Sequence, residues 1–122
     1  MSINREDFGV EYEVTAGTTK TLTATVIDPD TGSAKSLADT DVYATGIAKI
    51  YKPDGTQIGA NMSVNYGDSD DRLAGLIKFT VLATSQSTNT NAGNWIGEFE
   101  LSNVTPVVID QQFFNIKIRE SH

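Results

Sequence analysis

Residues 94–101, Asn-Trp-Ile-Gly-Glu-Phe-Glu-Leu, interleave large apolar and acidic side chains. A pleated strand sends successive side chains to opposite faces. Trp95, Phe99 and Leu101 therefore share an inward face, and Glu98 and Glu100 an outward one. Gly97 falls beside Trp95 on the inward face, where a missing side chain leaves room for the indole. Residues 75–82, Gly-Leu-Ile-Lys-Phe-Thr-Val-Leu, repeat the pattern, with Ile77, Phe79 and Val81 on one side and Lys78 and Thr80 on the other. Two strands with one dry face each point to an all-β fold.

Outward from these, period-2 alternation dominates and no window carries a helical stripe. Val10, Tyr12 and Val14 alternate with Glu11, Glu13 and Thr15 in a first strand ended by Gly17. Leu22, Ala24 and Val26 alternate with three threonines, which suit an exposed pleated face. Asp28-Pro29-Asp30-Thr31-Gly32 is a turn. Leu37 is the one large apolar residue of the connection that follows, and it is expected under the sandwich edge. Residues 42–52 read as a third strand with a bulge at Thr45-Gly46 that resets its phase. The segment 52–56, Lys-Pro-Asp-Gly-Thr, is a hairpin turn, with residues 57–66 returning as a strand interrupted by Gly59. Residues 67–71 form an acidic loop and residues 83–93 the longest, polar loop; residues 107–118 are the last strand, with Phe114, Ile116 and Ile118 inward. About seven strands with turn signals between them predict a single sandwich domain over residues 1–122, antiparallel and Greek-key wired, with mobile ends at 1–7 and 120–122. The predicted core is Leu22, Val26, Ile50, Ile77, Phe79, Val81, Trp95, Phe99, Leu101, Phe114, Ile116 and Ile118.

Composition narrows the function. The chain of 122 residues carries 9 Lys and Arg against 16 Asp and Glu, a net charge of −7. That charge repels phosphate backbones and anionic membranes and keeps the chain soluble, so neither nucleic acid nor membrane is an expected partner. There is no cysteine, and hence neither a disulfide nor a thiolate metal site. The first ten residues hold no apolar run resembling a secretion signal, and no stretch approaches the length of a bilayer span. Export inside an assembled particle is the expected alternative route.

Catalytic chemistry finds little support. The single histidine is the terminal His122, poorly placed to act as a base, and neither a nucleophile elbow nor a phosphate-binding loop is present. Glu98 and Glu100 imitate a glycosidase pair by spacing, but on one strand face they read as solvated or interface-facing. The stretch with Asp28 and Asp30 lacks the third acidic position of a calcium loop, Asp68, Asp70 and Asp71 form a compact but generic acidic group, and all five read as solvated turn residues. No enzymatic activity, cofactor or metal is expected. Trp95 reads as core packing rather than a sugar platform. Interface candidates are Tyr43, Tyr51, Gln57, Tyr66, Thr88 and Asn89, with Tyr43 and Tyr51 on an outward face. The polar tip at 84–94 is expected to order on assembly.

Read in order, residues 22–26 (Leu-Thr-Ala-Thr-Val), 28–32 (Asp-Pro-Asp-Thr-Gly), 48–56 (Ala-Lys-Ile-Tyr-Lys-Pro-Asp-Gly-Thr), 75–79 (Gly-Leu-Ile-Lys-Phe), 92–101 (Ala-Gly-Asn-Trp-Ile-Gly-Glu-Phe-Glu-Leu) and 114–118 (Phe-Asn-Ile-Lys-Ile) are similar to one known arrangement. The series resembles the immunoglobulin-like domain at the N-terminus of tailed-phage baseplate upper proteins, and related small phage virion proteins. The resemblance implies an immunoglobulin-like β-sandwich that docks into a virion and has no catalytic residues to carry over. In the baseplate proteins a helical linker and a distal module follow this domain, whereas this sequence stops at His122. Capsid decoration is therefore the expected role, ahead of a tail or baseplate adaptor. The chain would be made in the host bacterial cytoplasm and located on the particle surface, with capsid or tail proteins as partners and a homo-oligomer as an option. A carbohydrate-binding module and a bacterial adhesion domain are the competing classes.

Overall fold

The computed structural model of the chain describes residues 11–121. Within them lie β1 (Glu11–Thr15), β2 (Lys20–Thr25), β3 (Thr45–Tyr51), β4 (Met62–Ser63), α1 (Ser69–Leu73), β5 (Leu76–Val81), β6 (Gly93–Ser102) and β7 (Val108–Arg119). A short 3-10 turn at Asn89–Asn91 precedes β6. Strands β1, β7, β6, β3 and β4 form a five-stranded sheet in that order, and β2 with β5 forms a two-stranded one. The protein is all-β, as the alternation predicts. The larger sheet is mixed, however, because β1 pairs parallel with β7 while every other pairing is antiparallel. An all-antiparallel fold is thus corrected at one edge. Two strands at opposite ends of a chain can lie parallel, because the connection between them is long.

Between the sheets, β2 contributes Leu22 and Ala24, β5 contributes Ile77, Phe79 and Val81, β3 contributes Ala48 and Ile50, and the β6–β7 hairpin contributes Phe99, Leu101, Phe114 and Ile116. The predicted core residues are buried, except that Trp95 is only partly so. Leu37 is fully buried. Phe114 is the hub: its ring centroid lies 5.4 Å from Phe79, 6.3 Å from Phe99 and 5.4 Å from Tyr12. Gly97 stands directly opposite Phe114 in the β6–β7 register, and a Cβ there would run into the Phe114 ring. The space expected for Trp95 is therefore taken by Phe114. The indole lies instead against Gly93, whose φ of +154° few side-chain-bearing residues tolerate.

Four local readings need correction. The third strand starts at Thr45, and the phase break upstream is a turn, not a bulge: the Asp39 carboxylate accepts from the Asp41 and Val42 amides, and Tyr43 N–H donates to Asp39 O. The bulge lies elsewhere, at Leu101/Ser102 against β7, where Ile109 is the extra residue. Residues 57–66 do not form one returning strand. They touch β3 at Gln57 and over β4, and then Asn65 exchanges two 2.8 Å hydrogen bonds with Lys78 of the other sheet. Finally, the acidic loop contains α1, started by a capping box in which Asp68 accepts from Asp71 N–H and Asp71 from Asp68 N–H. At the termini, Val10 and residues 1–7 lie outside the described residues, as does His122. Ser121 donates to Asn89 Oδ1.

Candidate functional site

The odd-numbered residues of β7 and β3 and the even-numbered residues of β6 form the outer face of the larger sheet. Register places them in rows: Ile47, Glu100, Gln111; Lys49, Glu98, Phe113; and Tyr51, Ile96, Asn115. Such a face ordinarily meets water and carries polar side chains. Here its centre is dry. Ile96 is fully buried, Glu98 is 7% exposed and Asn115 is 8% exposed. The Asn115 Oδ1 atom is buried with no hydrogen-bond partner among the described residues.

Electrostatics on this face follow from the burial. Lys49 Nζ lies 3.4 Å from Glu100 Oε1, so the cation opposite Glu98 is engaged by its neighbour. Burial first, and then the hydrogen bond to Glu100, push the Glu98 carboxyl up to about 7. Glu100 is held below the usual carboxylate range, chiefly by the hydrogen bond from Glu98. Burial opposes the charge on Lys49, but Tyr51 and Glu100 outweigh it and raise the ammonium's pKa.

A second surface adjoins the upper end of β7. The 103–107 turn is tightly built: Asn103 Oδ1 accepts from Thr105 N–H, Thr105 Oγ1–H and Val107 N–H, and Val104 N–H donates to Asp41 O. Yet Val104 is 61% exposed and Val107 55%, and Val108 and Ile109 follow on the outside. A fixed backbone thus presents a strip of branched apolar groups to solvent, continuing along β7 toward Phe113.

The six interface candidates do not converge. Tyr43 and Tyr66 are buried, contrary to the outward placement of Tyr43. Tyr43 donates to Asp110, which also binds Lys35, while Tyr66 donates to Thr45 O and lies under the Arg72 guanidinium. Burial raises the pKa of both phenols, that of Tyr66 to about 12. Tyr51 is half-buried on the outer face. Gln57 is half-buried and donates to Gly59 O and Asn61 Oδ1. Thr88 is half-buried and bonded to Thr90, and Asn89 is exposed, its Oδ1 accepting from Ser121 N–H. The polar tip is already anchored: Gln86 and Ser87 are buried, Gln86 Nε2 donates to Ala60 O, and Ser87 Oγ donates to Thr18 O.

The residues that reasoning from sequence missed are Ile96, Phe113 and Asn115 on the outer face and Val104, Val107, Val108 and Ile109 at the turn. The available signal was an apolar residue in the outward phase of a strand, as at Ile96 and Phe113. Among the described residues no three Asp, Glu, His or Cys side chains gather as metal ligands. Asp28 and Asp68 accept backbone N–H groups, as turn and cap residues do. Among the described residues, clefts of about 370 Å³ beside Lys117–Glu120, 350 Å³ beside α1 and 140 Å³ between Ile27 and Phe114 open on the surface. No family model matches the sequence, and no curated protein matches it.

Proposed function

We propose that this chain is a non-enzymatic structural protein of a tailed-phage virion, acting as a capsid decoration protein that docks on neighbouring virion proteins. The observation that carries the reading is the turn at 103–107 with the start of β7. It is a rigid backbone that leaves Val104, Val107, Val108 and Ile109 exposed on an otherwise acidic domain. Exposed apolar groups on a fixed frame suit protein docking, because little conformational entropy is lost on binding. The fold supports the finer expectation of an immunoglobulin-like, Greek-key sandwich. In such domains strands G, F, C and C′ of one sheet face B and E of the other, and the order β7-β6-β3-β4 against β2-β5 fits that wiring. The carbohydrate-binding alternative is weakened by Trp95. Its Nε1–H donates to Asn91 O, and the Lys52 ammonium lies 5.6 Å from the ring centroid.

The test is size-exclusion chromatography with light scattering on the purified chain, alone and with purified capsids and detached tails of its phage. Binding to capsids at fixed stoichiometry is the expected result. Val107→Asp, at an exposed site, should weaken that binding at least about tenfold and leave the thermal midpoint unchanged. Binding to tails alone would replace decoration with an adaptor role, and a Trp95 fluorescence response to glycans with no particle binding would overturn the virion reading.

A further inference from the structure

We infer that Glu98 and Glu100 hold a single proton between them, and that this shared proton makes the outer face of the larger sheet a pH-sensitive element of the fold. The inference concerns the free chain and does not depend on the virion reading.

Glu98 is 7% exposed, flanked on its own strand by the fully buried Ile96 and by Glu100. From β3 the residue opposite is Lys49, which is bonded to Glu100. From β7 the residue opposite is Phe113, with Gln111 and Asn115 on either side. Lys117, the next cation of β7, stands opposite Asn94, two rows away. Among the described residues one cation thus serves two carboxyl groups, and its ion pair is with the less buried of the two. A hydrogen bond from Gln111 and the charge of Lys49 favour the ionised form, but burial and the adjoining Glu100 outweigh them, so Glu98 keeps its proton and donates it to the less buried Glu100. Glu98 is then the acid, Glu100 the acceptor, and Lys49 the counter-charge of Glu100. The raised Glu98 and the lowered Glu100 agree with these roles.

The consequence is a change of charge near neutrality. With the proton in place, Glu98, Glu100 and Lys49 sum to zero; without it they carry one negative charge in a dry patch. The sign on stability follows from linkage. Glu98 binds its proton more tightly in the folded than in the unfolded chain, so its contribution to stability is fully present below pH about 4.5 and is lost as pH rises through about 7, while that of Glu100, whose pKa is lowered, is lost as pH falls below the ordinary glutamate range.

The test is carboxyl carbon NMR of the full chain across pH 3–9, with urea unfolding at pH 5 and 8. One resonance of the pair titrating near pH 7 and the other below the usual glutamate range is the expected result. Glu98→Gln keeps the shape and a donor toward Glu100, and it should remove most of the difference in stability between the two pH values. Both glutamates titrating in the ordinary range would overturn the inference. So would a Glu98→Gln protein that keeps the wild-type pH dependence. Should that variant fail to fold, the wild-type NMR titration decides alone.

Discussion

Gly97 shows how one missing side chain can position an aromatic core. Its cross-strand partner Phe114 lays its ring over the glycine, and the rings of Phe79, Phe99 and Tyr12 gather around it. Gly97→Ala forces a methyl group into that ring. It should lower the unfolding free energy by about 1–3 kcal/mol in urea titration, with Phe114→Leu in the same background restoring part of the loss. Tyr43 offers a subtler test. Tyr43→Phe removes the hydrogen bond to Asp110 but leaves Lys35 in place at 3.0 Å, so the loss should be about 1 kcal/mol. Neither role was legible in the sequence. An inward Gly97 could be read from parity, but the ring that fills its space is set by the β6–β7 register. Tyr43 was read as outward because a turn was taken for strand, which reverses the face assigned to it.

At the scale of elements, the polar loop between β5 and β6 behaves as part of the core. The buried Gln86 side chain accepts from Leu82 N–H and donates to Ala60 O, joining two loops that share no ladder. Gln86→Ala leaves both backbone groups without that partner and should cost at least about 2 kcal/mol. Hydrogen exchange at Leu82 should accelerate with it. By contrast α1 buries no residue, so Asp68→Ala should cost no more than about 1 kcal/mol and should act on the helix alone. Strong alternation made β2, β5, β6 and β7 legible. Segments 57–66 and 67–73 were not, because their conformations answer to neighbours. Gly59 packs against Ser85 O and the Gln86 side chain, and Asn65 leaves one sheet to bridge the other.

For the molecule as a whole, the two sheets share one core cluster to which all seven strands contribute. Unfolding should therefore be a single cooperative transition, with calorimetric and van't Hoff enthalpies equal. A step that melts the two-stranded sheet first would show that the Asn65–Lys78 bridge and the shared core do not couple the layers. The −7 charge of the chain also bears on this scale. With Glu98 protonated, Glu98, Lys49 and Glu100 sum to zero, and the outer face is then less repulsive to another protein surface than the aspartate-rich loops.

The sequence by itself determined the all-β class, the dry faces of the main strands, the hairpin at 52–56 and the core they share, since these depend on a period of two and on local turn chemistry. Only the tertiary structure decided that β1 runs parallel to β7 and that residues 57–66 divide between two sheets. It also decided that a carboxyl on the nominally wet face is dry, and that Tyr43 and Tyr66 turn inward. Each of these depends on which strand lies beside which, and alternation along a single strand reports which residues share a face without reporting what stands across from them.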